Sequence, residues 1–147
     1  MAEQFDKNQF YKTLLAFAND PKGFNSRNGV LVTEVGEGWA KGEMENSPLT
    51  HNVLGSIHGG ALSTFADTVA AVAVASFGGL AMTSHNTMEY LRAAKPGPVF
   101  CEARVRKPGK ALSVCETVIR DSEGRELAIG HFSFHMTGDP LPFYRGK

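Results

Sequence analysis

The sequence predicts an α+β fold in which one long apolar helix is covered by an antiparallel sheet with a single buried face. An Ala-rich segment from Gly59 to Phe77, free of proline and with no glycine after Gly60, supplies the helix. From Met82 to Thr137 the chain reads as four strands joined by tight-turn chemistry, which supplies the sheet. A sheet with one apolar face must bury it, and this helix is the available cover. At 147 residues and 42% hydrophobic content, the chain suits one compact unit over residues 1–147 and is too short for two.

Taken in order, Phe5, Phe10, Leu14, Leu15 and Phe17 recur at helical spacing between Glu3 and Asn19, and Asn19-Asp20-Pro21 stops a helix within residues 1–20. A Gly, Asn and Ser loop from Gly23 to Gly29 leads into a hairpin, Val30–Val35 and Trp39–Glu45, around Gly36-Glu37-Gly38. Leu49–Ile57 is a loop, and His58-Gly59-Gly60 opens the central helix, which is apolar nearly all round and so covered on most sides.

Two turns then set the strand register. Lys107-Pro108-Gly109-Lys110 matches a type II turn, which places Val105 opposite Leu112, Ala103 opposite Val114 and Val99 opposite Val118. Asp121-Ser122-Glu123-Gly124-Arg125 matches a three-residue hairpin loop with Gly124 left-handed, which places Leu112 opposite Phe134, Val114 opposite Phe132 and Val118 opposite Ala128. Both turns select one apolar face, with Glu116 as an unexplained exception on it. This register puts Cys101 opposite Glu116 and Cys115 on the other face, so no disulfide between them is expected.

Fifteen Lys and Arg balance fifteen Asp and Glu, so no global field attracts nucleic acid and no like-charge run forms a polybasic anchor. The polar start, Met1–Asn8, lacks an apolar signal core, and a cytoplasmic location is expected. Val69–Met82 falls short of the roughly 20 residues a bilayer needs, so no membrane span is expected. Cys101 and Cys115 form no ligand cluster, and His131 and His135 share a strand face without a third ligand, so no metal site is expected. HExxH, GxSxG, Walker A and GxGxxG patterns are absent, which removes support from metalloprotease, serine hydrolase and nucleotide-binding classes.

Between Asn46 and Met88 there is a single formally charged side chain, Asp67, in the middle of the apolar helix. Its neighbours one and two turns away are Gly60, Ser63, Thr64, Ala71 and Val74, surroundings that raise a carboxyl pKa by desolvation. Either Ser63, Thr64 or a backbone donor satisfies it structurally, or it is poised as a base or nucleophile. Gly59-Gly60 at the helix start offers unpaired N–H groups and close approach to a developing oxyanion, or is simply a permissive helix entry. Asn52, on the preceding loop, supplies a side-chain amide or a turn. Gly59 and Asp67 are eight residues apart, about 12 Å along one helix, so they cannot hold one small reacting group between them. If both act on one atom, one of them comes from a second, antiparallel copy of the helix, and the catalytic unit is a symmetric dimer. Arg92, Lys95, Arg104, Arg106, Lys107 and Lys110 crowd a stretch whose one acid is Glu102, either a phosphate site or a solvated strand face.

Asn52-Val-Leu-Gly-Ser-Ile-His58-Gly59-Gly60 followed by Asp67, then Tyr90-Leu-Arg-Ala-Ala and the Lys-Pro-Gly-Lys and Asp-Ser-Glu-Gly turns, resembles the PaaI-type branch of the hotdog-fold acyl-CoA thioesterases from about Gly29 to Met136. The resemblance implies a hotdog core over residues 29–137, a curved antiparallel sheet wrapped around the long helix. It also implies an obligate homodimer, often a homotetramer, with sites at the dimer interface. By position it implies that the Gly59 N–H, assisted by Asn52, polarises a thioester carbonyl while Asp67 of the partner subunit attacks it or activates water. Thr83 stands where relatives place a water-positioning hydroxyl, and His58 orients the helix entry. Gly60 and Thr64 would border the substrate, and Arg92, Lys107 and Lys110 would meet the coenzyme A phosphates. The implied reaction is hydrolysis of an aryl or medium-chain acyl-CoA without metal or redox cofactor, in a pocket lined by residues such as Phe65, Met82 and Met88 and reshaped by the N-terminal helix. A noncatalytic acyl-CoA-binding module and an enoyl-CoA hydratase or dehydratase are the alternatives.

Overall fold

A computed structural model describes residues 4–146. Helix α1 spans Lys7–Ala18 and α2 Phe24–Arg27, followed by strands β1 (Val30–Gly36) and β2 (Trp39–Met44) and the central helix α3 (Gly59–Ala75). The chain ends with β3 (Gly79–Tyr90), β4 (Val99–Lys107), β5 (Leu112–Arg120) and β6 (Glu126–Pro140). The six strands form one sheet in the order β1-β2-β4-β5-β6-β3, every pair antiparallel. With α3 against its inner face, this is the hotdog architecture that the resemblance implies.

Helix α1 begins where the Asp6 carboxylate caps the backbone N–H groups of Asn8 and Gln9, and it buries Phe10 and Leu14. The expected start at Glu3 lies outside the described residues. The Gly23–Gly29 segment, expected as a loop, contains the single turn α2. In α3 the side chains of Phe65, Ala66, Val69, Ala70 and Ala73 are fully buried. The helix approaches β2 closely because Gly42 has no side chain; a Cβ there would stand 2.9 Å from Leu31 O and from Val69 Cγ2. At its far end the Ser76 hydroxyl donates to Ala73 O and accepts from Gly38 N–H at 2.8 Å, tying the helix to the β1–β2 turn.

The expected register is corrected in both hairpins. Between β4 and β5, Val105 pairs with Cys115, Ala103 with Thr117 and Cys101 with Ile119. Pro108-Gly109 does not form the type II turn, because Gly109 lacks a positive φ and a bulge lies between Val105 and Lys107. Around the second turn Gly124 is left-handed (φ 80) as expected and Arg120 pairs with Glu126. A bulge then shifts the ladder so that Ile119 faces Ala128 and Cys115 faces Phe132. A one-residue slip exchanges the two faces of a strand. The buried face of β5 is therefore Ser113, Cys115, Thr117 and Ile119, and Glu116 lies on the outer face within 3.4 Å of both Arg106 and His131.

Both cysteines are free and buried on the inner face, which corrects the expected placement of Cys115. Their cross-strand partners, Ile119 and Val105, put them four residues apart along the ladder, about 13 Å, well beyond disulfide reach. Burial pushes both thiols up, Cys115 to about 12.

The β5–β6 turn is locked by Asp121, whose carboxylate accepts from the backbone N–H groups of Glu123 and Arg125 at 3.0 Å and from Arg125 Nε and Nη2 at 2.9 and 2.7 Å. Burial alone would raise this carboxyl. The Arg125 guanidinium and the backbone donors of Arg125, Lys95 and Glu123 outweigh burial and hold it at about 2.

The two edges of the sheet differ. At edge β1, Asn19 Nδ2 donates to Val32 O at 2.8 Å and Asn19 Oδ1 accepts from Val32 N–H at 2.9 Å, so a side-chain amide occupies the position of a neighbouring strand. At the other edge, β3 borders only β6, and every residue from Met82 to Thr87 is exposed. Among the described residues no helix is long and apolar enough to cross a membrane.

Candidate active site

The loop before α3 is shaped by its own polar groups. Thr50 O accepts from His58 N–H at 2.8 Å, and Asn52 Oδ1 accepts from the N–H groups of Leu54 and Ser56 at 2.9 and 3.2 Å. The Asn52 carbonyl oxygen is thus used within the loop, which leaves its Nδ2 group as the donor for a ligand.

The first turn of a helix exposes four N–H groups. Here His58 accounts for three of them: its own N–H donates to Thr50 O, its Nδ1 accepts from Gly60 N–H at 2.7 Å, and its carbonyl accepts from Ala61 N–H at 2.9 Å before taking the first helical bond from Leu62 at 3.1 Å. With Nδ1 accepting, Nε2 is the ring nitrogen left to face a ligand. Gly59 N–H has no acceptor among the described residues. It carries the positive end of the α3 dipole and lies beside the Tyr90 ring, which would be 3.5 Å from a Cβ at Gly59. Sequence reasoning had no role for Tyr90; its position follows from β3 running antiparallel to α3.

Two turns along α3, Asp67 Oδ1 accepts a hydrogen bond of 2.7 Å from the Thr83 hydroxyl on β3. Neither Ser63 nor Thr64 satisfies it, and no donor to Oδ2 is present among the described residues. The carboxylate is half-buried rather than enclosed, because one side of it opens onto the exposed β3 edge. The structure thus brings Asp67 and Thr83 together and leaves Gly59 about 12 Å away at the helix start.

A cavity of about 250 Å³ begins at Asp67 and runs along Ala71 and Ala75 between α3, α1 and the start of β3. Sequence reasoning missed this lining, although alanines four and eight residues after Asp67 mark a stripe of small side chains on one helix face. The pocket residues it named instead lie elsewhere. Phe65 is fully buried in the core, Met82 is 64% exposed, and Met88 packs near Gly130. Gly60 and Thr64 border a second cavity, about 290 Å³, with His58 and His51.

The basic cluster divides in space. Arg92 follows β3 at the end of the sheet where Tyr90 pairs with Ala128, whereas Lys107 and Lys110 flank the β4–β5 connection at the opposite end, roughly 25 Å away along β5. One protomer therefore cannot bring Arg92, Lys107 and Lys110 to one phosphate, which corrects the grouping read from sequence. Arg104 and Arg106 pair with Glu102 and Glu116. His131 and His135 are exposed on the outer face, His131 beside Glu116.

The family model of the thioesterase superfamily matches residues 54–128, from the exposed tip of the loop before α3 to the start of β6. Among solved structures, a conserved protein from Pseudomonas aeruginosa is 27% identical, covers 78% of this chain and 94% of its own, and superposes with a TM-score of 0.74. Zebrafish thioesterase superfamily member 2 is 23% identical over 90% of this chain and 99% of its own, with a TM-score of 0.77. A hypothetical thioesterase from Streptococcus pneumoniae, solved with coenzyme A, is 23% identical over 76% of this chain and 91% of its own, with a TM-score of 0.72. No curated protein matches this chain. The family match spans more than half of the sequence, and the chain belongs to the thioesterase superfamily.

Proposed function

From membership of that superfamily, we propose that the protein is an acyl-CoA thioesterase that hydrolyses an aryl or medium-chain acyl-CoA to the free acid and coenzyme A. The observation that carries the reading is the division of α3 into two half-sites: a Gly59 N–H without an acceptor among the described residues at its start, and a Thr83-held carboxylate at Asp67. Neither half acts alone on a thioester. A two-fold pairing of β3 edges would set two α3 helices antiparallel and bring Gly59 of one protomer toward Asp67 of the other. Edge β3 is exposed for this over Met82–Thr87, whereas on edge β1 the Asn19 amide holds both backbone groups of Val32.

In this arrangement the Gly59 N–H, assisted by the Asn52 amide, stabilises the oxyanion that forms when the carbonyl is attacked. Asp67 either activates a water or attacks directly, and the Thr83 hydroxyl fixes the orientation of the carboxylate. The C–S bond breaks, the thiol leaves as coenzyme A, and water is the only co-reactant. His58 holds the helix entry by capping rather than acting as a base, and Gly60 and Thr64 border the substrate. The coenzyme A phosphates meet either Arg92 or the Lys107–Lys110 pair. Coenzyme A in the Streptococcus pneumoniae structure supports the ligand class. Two homodimers joined into a tetramer complete the proposed assembly.

The test is thiol release from a panel of aryl and straight-chain acyl-CoAs by wild type and Asp67→Asn, with folding and oligomeric state checked by circular dichroism and sedimentation. Turnover lost in a folded, dimeric Asp67→Asn supports the reading. Binding of acyl-CoA without thiol release refutes it in favour of a binding module, and hydration of crotonyl-CoA refutes it in favour of a hydratase.

A further inference from the structure

Beyond Asp67, α3 presents Ala71 and then Ala75 on the same face, and the room they leave is bounded on the far side by Leu14 and Phe17 of α1. We propose that this cavity receives the acyl group, with Phe17 and Ala71 setting the acyl length; the proposal rests on the thioesterase reading above.

Three observations carry it. The cavity has the Asp67 carboxylate at one end and mainly aliphatic and aromatic side chains beyond it, which suits a carbonyl followed by an apolar tail. Its direction is the second. It extends from Asp67 toward the C-terminal end of α3, away from the Gly59 of its own protomer, which leaves that direction for an apolar tail. The protomer that supplies Asp67 would then read the acyl group while its partner supplies the Gly59 N–H. Size is the third. At about 30 Å³ per water-sized group, a cavity of about 250 Å³ takes roughly eight heavy atoms, the bulk of an octanoyl or phenylacetyl group.

The wall formed by α1 is fixed in place by groups that do not line the cavity as catalysts. Asn19 clamps the end of α1 to Val32, and the Phe17 ring lies 5.3 Å from that of Phe143. Phe17 is 60% exposed, whereas Leu14 is buried. A Phe17→Ala substitution therefore opens the wall with little loss of core, and Ala71→Leu fills the passage one turn beyond Asp67.

The experiment measures kcat/KM for straight-chain acyl-CoAs from two to sixteen carbons, and for phenylacetyl-CoA, with wild type, Phe17→Ala and Ala71→Leu. In wild type the values are expected to peak near eight carbons. Ala71→Leu is expected to lower the octanoyl-to-acetyl ratio by about tenfold or more, and Phe17→Ala to raise the dodecanoyl-to-octanoyl ratio by about fivefold, in line with the discrimination a few methylenes provide. A variant that is merely less stable lowers all substrates together and leaves the ratios unchanged. Superimposable profiles in all three proteins overturn the proposal while Asp67-dependent thiol release keeps the thioesterase reading. No thiol release from any acyl-CoA by the folded protein overturns both.

Discussion

Thr83→Val is the sharpest probe of how Asp67 is held. It removes the hydroxyl that donates to Asp67 Oδ1 at 2.7 Å and keeps the shape of the side chain nearly constant. A hydrogen bond to a charged group contributes about 1.5–3 kcal/mol. Thr83 is exposed in the isolated chain, so water can replace part of that bond, and the low end of the range applies. About 1.4 kcal/mol corresponds to a factor of ten in rate. In a thiol-release assay kcat is expected to fall about tenfold with little change in KM, because the hydroxyl orients the carboxylate and makes no contact with the acyl cavity. Thr83→Ser, which restores the donor, is expected to recover most of the rate. A Thr83→Val enzyme within twofold of wild type, or a Thr83→Ser enzyme as slow as Thr83→Val, refutes the reasoning.

Replacing Asn19 by Ala removes both hydrogen bonds that cap edge β1, a loss of about 1–3 kcal/mol, seen as a lower urea midpoint with unchanged slope and as concentration-dependent association through the opened edge. Asp121 is held at about 2, below the ordinary carboxylate range, so its contribution to stability is fully present above about pH 4 and is lost as pH falls through that window toward 2. Urea titrations should show wild type losing stability over that range, with Asp121→Asn less stable at pH 7 and flatter below pH 4. Mixing Asp67→Asn with Asn52→Ala tests the shared site. Random reassortment makes about half the dimers heterodimers, each with one intact site, so about a quarter of wild-type activity returns above that of the parents, and no gain refutes a site built across the two-fold.

The strand register shows where sequence reading fails and why. The even positions of β5 carry Leu112, Val114 and Val118 together with Glu116 and Arg120, and the odd positions Ser113, Cys115, Thr117 and Ile119 are the buried set. Charge separates the two faces: burying the even set would desolvate Glu116 and Arg120, whereas the odd set brings no charge to the core. α3 lies close on the sheet, approaching within contact of Gly42, and the inner face beneath it is built from small residues such as Ala40, Ala103, Cys101 and Cys115. Leu112, Val114 and Val118 remain partly exposed on the outer face, while Ile119 is fully buried on the inner one. Bulges at Val105/Lys107, Ile119/Arg120 and Thr83/His85 then reset the pairing within strands that turn chemistry alone treats as regular. The helix α3 was legible because composition and length specify it without reference to a partner. Its capping residue, His58, was legible as part of a motif but not as a cap.

The site was legible to the same extent. Asp67 stands out because a lone charge in an apolar helix has few structural justifications, and the structure supplies one donor where a purely structural carboxylate would have collected several, as Asp121 does. The resemblance assigns the donor role to Gly59 by position, whereas spacing and composition alone do not separate it from Gly60. The geometry of His58, which takes Gly60, Ala61 and Leu62, makes Gly59 the donor that is left. The basic residues were misgrouped because proximity in sequence across a β4–β5 hairpin says nothing about the β3 end of the sheet, where Arg92 resides. What joins the two legible halves is the asymmetry of the edges. A long edge strand left uncovered is a liability in a free protomer, and this chain caps β1 at Val32 with the Asn19 amide while β3, beside both halves of the site, is exposed from Met82 to Thr87. The edge that would otherwise promote aggregation is the one whose pairing would complete the chemistry, so loss of dimerisation should cost activity before it costs the fold.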